Sequence, residues 1–307
     1  MGKKNKVILI AGPTASGKSL LGIKIAKYLN GEIINADSMQ IYKEFSILTS
    51  KPTVKEKKNT KHHLYGFISA KKKFSTGHWL KMAVKKIEKQ WQNNKIPIIV
   101  GGTGLYFKAL TDGLVKIPKI PNKARISIRK LHKRIGQEKF YSKLIKLDPL
   151  AKKNISIYDT QRSIRAYEVK KITNKSLFKL IKETKSNFDD SVFVKLFINT
   201  PKELLHKKIE KRVDRMFNKG ATGEVRNFIK MKVKKDLSAN KIIGIKEIGD
   251  YLNGKVTLFE AKELIKLKTR QYAKRQFTWA RGHMKSWEMI YSSNTNDLYK
   301  KAINKIS

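Results

Sequence analysis

The sequence predicts an α/β fold: a P-loop parallel sheet core flanked by helices, with a helical insertion domain. Three observations support this prediction. Short apolar runs alternate with helical patterns, as expected for a sheet with crossover helices. Most of the runs are continuously apolar, which is typical of parallel strands buried on both faces. From about residue 114 to residue 190, only helical patterns occur.

The elements follow in order along the chain. Strand patterns occur at residues 7–11, 32–36, 63–68, 96–100, 192–199 and 288–291, and helical periodicity covers residues 19–29, 76–93 and 201–218. A proline-marked segment leads into four further helical patterns, at residues 122–135, 137–147, 159–173 and 176–184. We therefore expect a core of residues 1–113 and 191–307, and an insertion domain of residues 114–190.

The charge balance favours a polyanionic partner. Among 307 residues, 69 are Lys or Arg and 24 are Asp or Glu, which gives a formal net charge of +45. Nucleic acid is the obvious partner for such an excess. The alternative is compositional drift, because the chain is rich in Lys, Ile and Asn. Drift explains a diffuse excess but not positioned cations.

Composition also excludes several classes of protein. The absence of cysteine excludes disulfides, cysteine zinc sites and thiol nucleophiles. No apolar run reaches the ~18 residues of a membrane span. The N-terminal residues lead directly into the first strand pattern, so we expect no signal peptide and a cytoplasmic protein. We also expect a monomer. Adjacent His62 and His63 face opposite ways on an extended segment, which argues against a metal site there.

Residues 12–19, Gly-Pro-Thr-Ala-Ser-Gly-Lys-Ser, fit the phosphate-binding pattern G-x-x-x-x-G-K-[ST] between a strand and a helix. Gly12 and Gly17 allow backbone N–H groups to turn toward an anion. The helix N-terminus adds positive potential. Lys18 adds a point charge, and Ser19 offers a hydroxyl to Mg²⁺. This phosphate loop (residues 12–19) predicts a phosphate ligand without specifying a nucleotide.

Two further segments are expected at the same edge of the sheet. Asp37 follows the second strand, where open α/β sheets place ligands; it can act as a base or Mg²⁺ partner, or cap a turn. The fourth strand ends in Gly101-Gly102-Thr103-Gly104 rather than in the acidic residue that holds Mg²⁺ in many nucleotide hydrolases. This indicates either a close backbone approach to a ligand, with the Thr103 hydroxyl pointing into the site, or an ordinary turn.

Five segments occur in an order that closely resembles one family, the bacterial tRNA dimethylallyltransferases (tRNA isopentenyltransferases). They are the phosphate loop, Asp-Ser-Met-Gln-Ile-Tyr from Asp37, Val-Gly-Gly-Thr-Gly-Leu-Tyr from Val100, Asp-Thr-Gln-Arg-Ser-Ile-Arg-Ala from Asp159 and Arg-Gln-Tyr-Ala-Lys-Arg-Gln-Phe-Thr-Trp from Arg270. The resemblance extends from about residue 7 to residue 287. No single motif suffices, but five in register are highly specific.

The resemblance implies that a dimethylallyl group moves from dimethylallyl diphosphate to N6 of the adenosine immediately 3′ of the tRNA anticodon. The phosphate loop then holds the diphosphate leaving group, with Mg²⁺ at Ser19. Matched by position, Asp37 is the general base, Thr103 lines the channel where base meets donor, and Lys18 contacts the diphosphate. The implied diphosphate-binding residues are Gly12, Thr14, Ala15, Ser16, Gly17, Lys18 and Ser19.

The expected tRNA-binding residues form two groups. The resemblance implies contacts from Asp37, Ser38, Met39, Gln40, Thr103, Asp159, Thr160, Gln161 and Arg162. Charge spacing adds a second group: Lys266, Arg270 and Lys274 recur on one helix stripe, with Arg281 seven residues beyond Lys274. These cations either track phosphates or form a solvated face. Arg162 and Arg165 either clasp phosphate or, in the helix, pair with Glu168.

Departures from the family pattern are modest. Thr160 stands where the family commonly has Pro, and Ile245 stands where it often has Tyr, so one aromatic contact is lost. Two other functions remain open from the residues alone. One is phosphoryl transfer to a small molecule, but the fourth strand lacks the acidic residue at its end that this reaction would favour. The other is non-catalytic RNA binding, but the presence of both Asp37 and Thr103 in the site argues against it.

Overall fold

The computed structural model describes residues 5–57, 60–118, 120–292 and 294–306, with the backbone alone at residue 295. The first four residues, on which the expectation about a signal peptide partly rests, lie outside the described residues. The chain divides into two compact units, Met1–Thr111 with Asn187–Ser307 and Asp112–Ser186. The second unit covers nearly the same residues as the predicted insertion, 114–190.

One parallel sheet forms the centre of the first unit, and its described strands are β1 (Val7–Ala11), β2 (Glu32–Asn35), β3 (His62–His63), β4 (Pro97–Gly101), β5 (Phe193–Asn199) and β6 (Glu288–Tyr291). The strand order is β3-β2-β4-β1-β5-β6, and every pairing is parallel. Leu9 of β1 lies opposite both Ile99 and Lys195. The predicted fold class is therefore confirmed.

The helices of the described chain are α1 (Lys18–Tyr28), α2 (Val54–Lys57), α3 (Thr76–Gln92), α4 (Gly104–Thr111), α5 (Asn122–Leu147), α6 (Ala151–Asn154), α7 (Thr160–Thr173), α8 (Leu177–Lys182), α9 (Lys202–Asn218), α10 (Ala221–Lys230), α11 (Ile245–Leu252), α12 (Leu258–His283) and α13 (Thr295–Ile306). None of those described is long and apolar enough to cross a membrane. Short 3₁₀ turns occur at Asp190–Val192 and Ser238–Lys241.

Burial explains the continuously apolar strands. Every residue of β1 and β4 is buried. On one face, Ile8 and Ile10 pack with Leu21 and Ile25 of α1. Because β1, β2 and β4 are parallel neighbours, the turns that follow them lie at one edge of the sheet. Those turns are the phosphate loop, the segment that contains Asp37 and the Gly-rich turn after β4.

The strand predicted at residues 63–68 is wrong beyond its first residue, since β3 contains only His62 and His63. Leu64 has a left-handed backbone with φ of 62°, which ends the extended conformation. The following segment pairs elsewhere: Phe67 N–H donates to Ile41 O at 2.9 Å, and Ile68 bridges to Tyr42. Hydrogen bonding to the loop after β2 therefore replaces continuation of the strand.

The second unit contains no strand among its described residues, as predicted. Two predicted helices, 122–135 and 137–147, are the two halves of α5, which Gly136 interrupts with φ of 76° and ψ of 170°. At the start of α7, the Asp159 carboxylate accepts a hydrogen bond from Arg162 N–H at 3.0 Å. A small core holds this unit together, formed by Leu144, Ala151, Ile155 and Ala166.

Candidate active site

The phosphate loop has the geometry of an anion site. Gly17 adopts φ of 91° immediately before α1, a conformation that favours glycine. The first turn of α1 contains no acidic residue, so nothing there offsets the positive potential of the helix N-terminus. Ser16 is buried, and its Oγ has no hydrogen-bond partner among the described residues. A buried hydroxyl without a partner is costly, and a phosphate oxygen would satisfy it.

Lys18 is the principal charge of the loop. Lys18 as a whole is half-buried, and its ammonium donates to Pro13 O at 2.9 Å. Burial lowers the pKa of Lys18 to about 8; the Asp37 carboxylate opposes this shift, and the Arg212 guanidinium reinforces it. Ser19, the next residue, is exposed. The two groups predicted to bind diphosphate and Mg²⁺ therefore lie at the start of α1.

The turn after β2 is organised by the buried side chain of Asn35. Asn35 Oδ1 accepts from Asp37 N–H at 2.8 Å, and Asn35 Nδ2 donates to Asp37 O at 3.0 Å and Leu64 O at 2.9 Å. Asp37 Oδ1 accepts from Met39 N–H at 2.9 Å. Asp37 thus caps a turn, one of the roles left open, with one oxygen. No described residue hydrogen-bonds Oδ2, which leaves that oxygen for a proton or a metal.

Thr103 joins the turn after β4 to the turn that contains Asp37. Its N–H donates to Ala36 O at 3.1 Å, and its Oγ1 accepts from Ser38 N–H at 2.9 Å. Gly101 has no space for a side chain, because a Cβ there would lie 2.0 Å from Ala36 O. The structure therefore brings Asp37 and Thr103 together, as their positions at the strand ends predicted.

Arg212 of α9 is a site residue that sequence reasoning missed. Its Nη1 donates to Thr14 Oγ1 at 2.5 Å, and its Nη2 donates to Leu48 O at 3.5 Å. Burial lowers the pKa of the guanidinium, and Asp37 opposes that shift. A signal existed in the sequence: Arg212 lies seven residues after Leu205 and three after Ile209, both buried, at a position where the apolar stripe predicts a hydrophobic residue.

Three tyrosines complete the surroundings of Asp37. Burial, and secondarily the Asp37 charge, raise the pKa values of Tyr65, Tyr106 and Tyr272. These phenols stay neutral at physiological pH. The cations on which the Asp37 charge acts are Lys18 and Arg212.

A cavity of about 330 Å³ opens beside these groups. It is lined by parts of all three turns, by α12 and the residue after it, and by residues of α4 and β5, including Gly12, Ser38, Gly102, Thr103, Phe107, Phe197, Tyr272, Gln276, Trp279 and Met284. Most of the lining is apolar. The cavity can therefore accept a small hydrocarbon group next to a phosphate-binding loop. Tyr272, Gln276 and Trp279 belong to the motif that begins at Arg270, but sequence reasoning assigned none of them to the site.

The predicted tRNA-binding residues of the first unit differ in their present partners. Lys266 pairs with Glu263 at 2.9 Å and Asp214 at 3.8 Å. Arg270 pairs with Glu210 at 3.3 Å. Lys274 and Arg281 are exposed, with no ion pair to a described residue. Gln40 is half-buried and donates to Thr49 O at 2.8 Å and Ser50 O at 3.1 Å.

In the second unit, the predicted cations are paired within their helix. Arg162 lies 3.4 Å from Asp159, and Arg165 lies 3.2 Å from the buried Glu168. The alternative pairing with Glu168 is therefore present. In the first turn of α7, Thr160 is half-buried and Gln161 is exposed. Contacts of these residues with RNA stay a prediction.

The two histidines have no metal-site geometry. His63 Nε2 lies 2.6 Å from Glu32 Oε2, and His62 Nδ1 lies 2.6 Å from Thr60 O. Among the described residues, no group of three or more His, Cys, Asp or Glu side chains could hold a metal. These contacts give both histidines a structural role.

The fold and site define a P-loop α/β protein. Its phosphate loop lies near the Asp37 carboxylate and an apolar cavity, and β4 ends in glycines where many nucleotide hydrolases have an acidic residue. The chain belongs to the IPP transferase family, whose model matches residues 40–283. It is 58% identical over 301 residues to the tRNA dimethylallyltransferase of Pelagibacter ubique, which covers 98% of this chain and 96% of that one. It is 46% identical over 278 residues to the tRNA dimethylallyltransferase of Rickettsia massiliae, and the alignment covers 90% of this chain and 77% of that one.

Solved structures agree with this assignment. The tRNA isopentenylpyrophosphate transferase of Bacillus halodurans matches with a TM-score of 0.72 and 31% identity, covering 99% of this chain and 96% of that one. A eukaryotic dimethylallyltransferase acting on tRNA matches with a TM-score of 0.84 and 28% identity, covering 97% of this chain and 78% of that one. The family predicted from the five motifs is confirmed.

Proposed function

We propose that this chain transfers the dimethylallyl group from dimethylallyl diphosphate to N6 of the adenosine immediately 3′ of the anticodon in tRNA, releasing diphosphate. One observation carries the proposal. A single cavity is lined by Gly12 of the phosphate loop, by Ser38 beside Asp37 and by Thr103. Leaving group, hydrocarbon and acceptor base can therefore meet at one point. The relatives named tRNA dimethylallyltransferase support the same reaction.

The diphosphate end of the donor belongs in the phosphate loop. Loop N–H groups, the Ser16 hydroxyl, Lys18 and Arg212 supply donors and positive charge there. When the bond between the allylic carbon and oxygen breaks, negative charge develops on the bridging oxygen. Preorganised cations and N–H groups stabilise that charge more strongly than water does. This end of the site therefore lowers the barrier to departure of the leaving group.

Mg²⁺ fits the same end of the site. It is typically held by one or two protein oxygens, several waters and the phosphates of the substrate. The exposed Ser19 hydroxyl at the start of α1 is such an oxygen, and the free Asp37 Oδ2 is a second candidate. When bound, the ion neutralises charge on the diphosphate and makes it a better leaving group.

The acceptor end requires alignment and removal of one proton. As the N6–carbon bond forms and the carbon–oxygen bond breaks, the adenosine amine loses a proton, which Asp37 Oδ2 can take. An ordinary carboxylate is sufficient for this step, because the developing ammonium is acidic. Positioning of the two reactants supplies ~7–11 kcal/mol in favourable cases. The hydrogen bonds of Asn35 and Met39 fix the carboxylate for that purpose.

The tRNA anticodon stem-loop is the proposed macromolecular partner. An adenosine in the loop is unpaired, so turning it into a site costs less than extruding a paired base. The exposed Lys274 and Arg281 on α12 can contact its phosphates. We propose that the protein acts as a monomer.

A direct assay tests the proposed function. The protein is incubated with Mg²⁺, dimethylallyl diphosphate and unmodified tRNA, and the nucleosides are weighed by mass spectrometry. A prenyl mass gain on adenosine is expected, with no gain on a matched tRNA that carries guanosine at the target position. ATP consumption with a small acceptor would instead indicate a phosphotransferase. Binding of tRNA without either reaction would indicate an RNA-binding protein.

Competition binding separates the proposed donor from ATP. The strand β4 ends in glycine rather than in an acidic residue, and the adjoining cavity is apolar. Dimethylallyl diphosphate should therefore displace a bound diphosphate analogue far more effectively than ATP does. Micromolar affinity for ATP without binding of the diphosphate ester would refute the proposed donor.

A further inference from the structure

Gln276, on α12, joins two of the three turns that form the site. Its Oε1 accepts a hydrogen bond from Thr14 N–H at 2.8 Å, and its Nε2 donates to Gly102 O at 2.9 Å. Both ends of the side-chain amide are therefore engaged by backbone. One contact is to the phosphate loop and the other is to the turn after β4.

Helix α12 lies close against that turn. A Cβ on Gly102 would lie 2.2 Å from Gln276 Nε2, and a Cβ on Gly104 would lie 2.2 Å from Trp279 Cε3. Distances this short do not occur between non-bonded atoms. The absence of side chains at Gly102 and Gly104 therefore allows α12 to approach the turn and Gln276 to reach the backbone.

The contact continues from Gly102 to the proposed base. Thr103, the next residue, accepts from Ser38 N–H at 2.9 Å, and Ser38 follows Asp37. A continuous path of hydrogen bonds and peptide units thus connects Thr14 with Asp37. Gln276 forms the link in this path between the phosphate loop and the turn after β4.

We propose that Gln276 is a positioning residue that holds the diphosphate-binding loop in register with the turn of Thr103 and Asp37. The inference rests on the proposed function, since the register matters only if donor and acceptor react between these turns. Gln276 acts through Thr14 and Gly102, which fix the loop that holds the leaving group and the turn that faces the acceptor. Misplacement of reacting groups by about 1 Å can cost ~10²-fold in rate.

The chemistry of the amide explains why glutamine is suited to this position. The two backbone groups require an acceptor at one end of the side chain and a donor at the other. Glutamate lacks the donor, lysine lacks the acceptor and methionine lacks both. A neutral amide also adds no charge beside Lys18, Arg212 and Asp37, whose charges act on the diphosphate.

Two substitutions break the same link from opposite sides. Gln276→Met keeps the length of the side chain and removes both hydrogen bonds. Gly102→Ala keeps the glutamine but places a Cβ where its Nε2 lies. We expect each to lower the single-turnover rate of prenyl transfer about 10- to 100-fold, with tRNA affinity unchanged and with the thermal midpoint lowered by no more than the loss of these hydrogen bonds costs. Because both variants break the same link between α12 and the turn after β4, the double variant should be no slower than the slower single variant.

Gln92→Met is the matched control. Gln92 is exposed at the end of α3, so the same change of side chain should leave the rate at the wild-type value. Affinity for inorganic diphosphate, measured without donor or tRNA, provides a second readout. It should fall in Gln276→Met, because the loop is no longer fixed at Thr14.

The outcomes separate this inference from the proposed function. If the wild-type protein transfers the prenyl group, a wild-type rate in Gln276→Met overturns the inference. So does a double variant whose loss equals the product of the two single losses. A lowered thermal midpoint with an equal loss of tRNA affinity would show a merely structural role. If the wild-type protein transfers nothing, the proposed function fails, and unchanged diphosphate affinity in Gln276→Met then overturns the inference separately.

Discussion

Arg212 and Thr14, 198 residues apart in sequence, are joined by a hydrogen bond of 2.5 Å from the guanidinium to the threonine hydroxyl. The bond places a second cation against the phosphate loop, in addition to Lys18. Arg212 also donates to Leu48 O, in the segment that follows the Asp37 turn. Two positive charges from different parts of the chain therefore serve one anion site.

Replacement of Arg212 by Met should weaken binding of inorganic diphosphate about 10- to 100-fold, the usual cost of losing a hydrogen bond to a charged group. Calorimetry measures this affinity directly. Arg215→Met is the control, because Arg215 lies exposed on the same helix and donates to Lys211 O. Equal affinities of the Arg212 and Arg215 variants would show that Arg212 only braces the loop.

Binding of diphosphate should weaken with increasing pH through the titration of Lys18. Its pKa is lowered to about 8, so the charged form that attracts an anion predominates below this pH and is lost above it. Affinity should therefore be greatest below about pH 8 and fall as the pH rises through that value. Diphosphate also loses protons in this range, and the profile of Lys18→Ala isolates that contribution. Parallel profiles for both proteins would refute a role for the Lys18 charge.

Substitution of Asp37 by Asn should abolish turnover while binding persists. Asparagine can still accept from Met39 N–H, but it cannot take the proton from N6. Loss of a general base costs ~10²–10⁴ in rate, so single-turnover chemistry should fall by that factor with tRNA affinity within a few-fold. A near-normal rate would leave Asp37 as a turn cap alone. Recovery of the rate at high Mg²⁺ would identify it instead as a metal ligand.

Binding of tRNA should weaken steeply with salt, with unequal contributions from the cations of α12. Lys274 and Arg281 are exposed, whereas Lys266 and Arg270 are ion-paired with acidic side chains. Each phosphate contact contributes a slope of ~0.7–0.9 in log K against log salt. Alanine at Lys274 or Arg281 should reduce the slope by that amount, and alanine at Lys266 should reduce it less. A flat salt dependence of the wild-type protein would mean that the net charge is only compositional.

The parts of the site that were predicted from sequence are those fixed by local patterns. The phosphate loop, Asp37 and Thr103 each follow a strand with a clear apolar pattern. Once the strands are parallel neighbours, the positions of these residues at one edge are determined. Arg212 and Gln276 could not be placed in this way, because they reach the site from helices whose docking depends on tertiary packing.

The error in the predicted strand at residues 63–68 has the same origin. The strand at residues 63–68 stops after His63 because Leu64 turns into the left-handed region and the next residues pair with Ile41. Apolar composition alone does not reveal that change of partner. Lys266 and Arg270 do lie on one helix, as their spacing predicted, and their contact with tRNA stays a prediction; the spacing could not show that their acidic partners Asp214 and Glu210 lie on α9. Only the packing of α9 against α12 brings those charges together.

The turn after β4 has a consequence for how this sequence can drift. A compositional bias toward Lys, Ile and Asn can replace exposed residues at little cost, but a side chain would not fit at Gly101, Gly102 or Gly104. At each position a substitution would clash with a different group: at the first with the Ala36 carbonyl, at the second with the Gln276 amide and at the third with the Trp279 ring. The run of glycines is thus three separate constraints, imposed by the backbone, a side-chain hydrogen bond and the wall of the cavity.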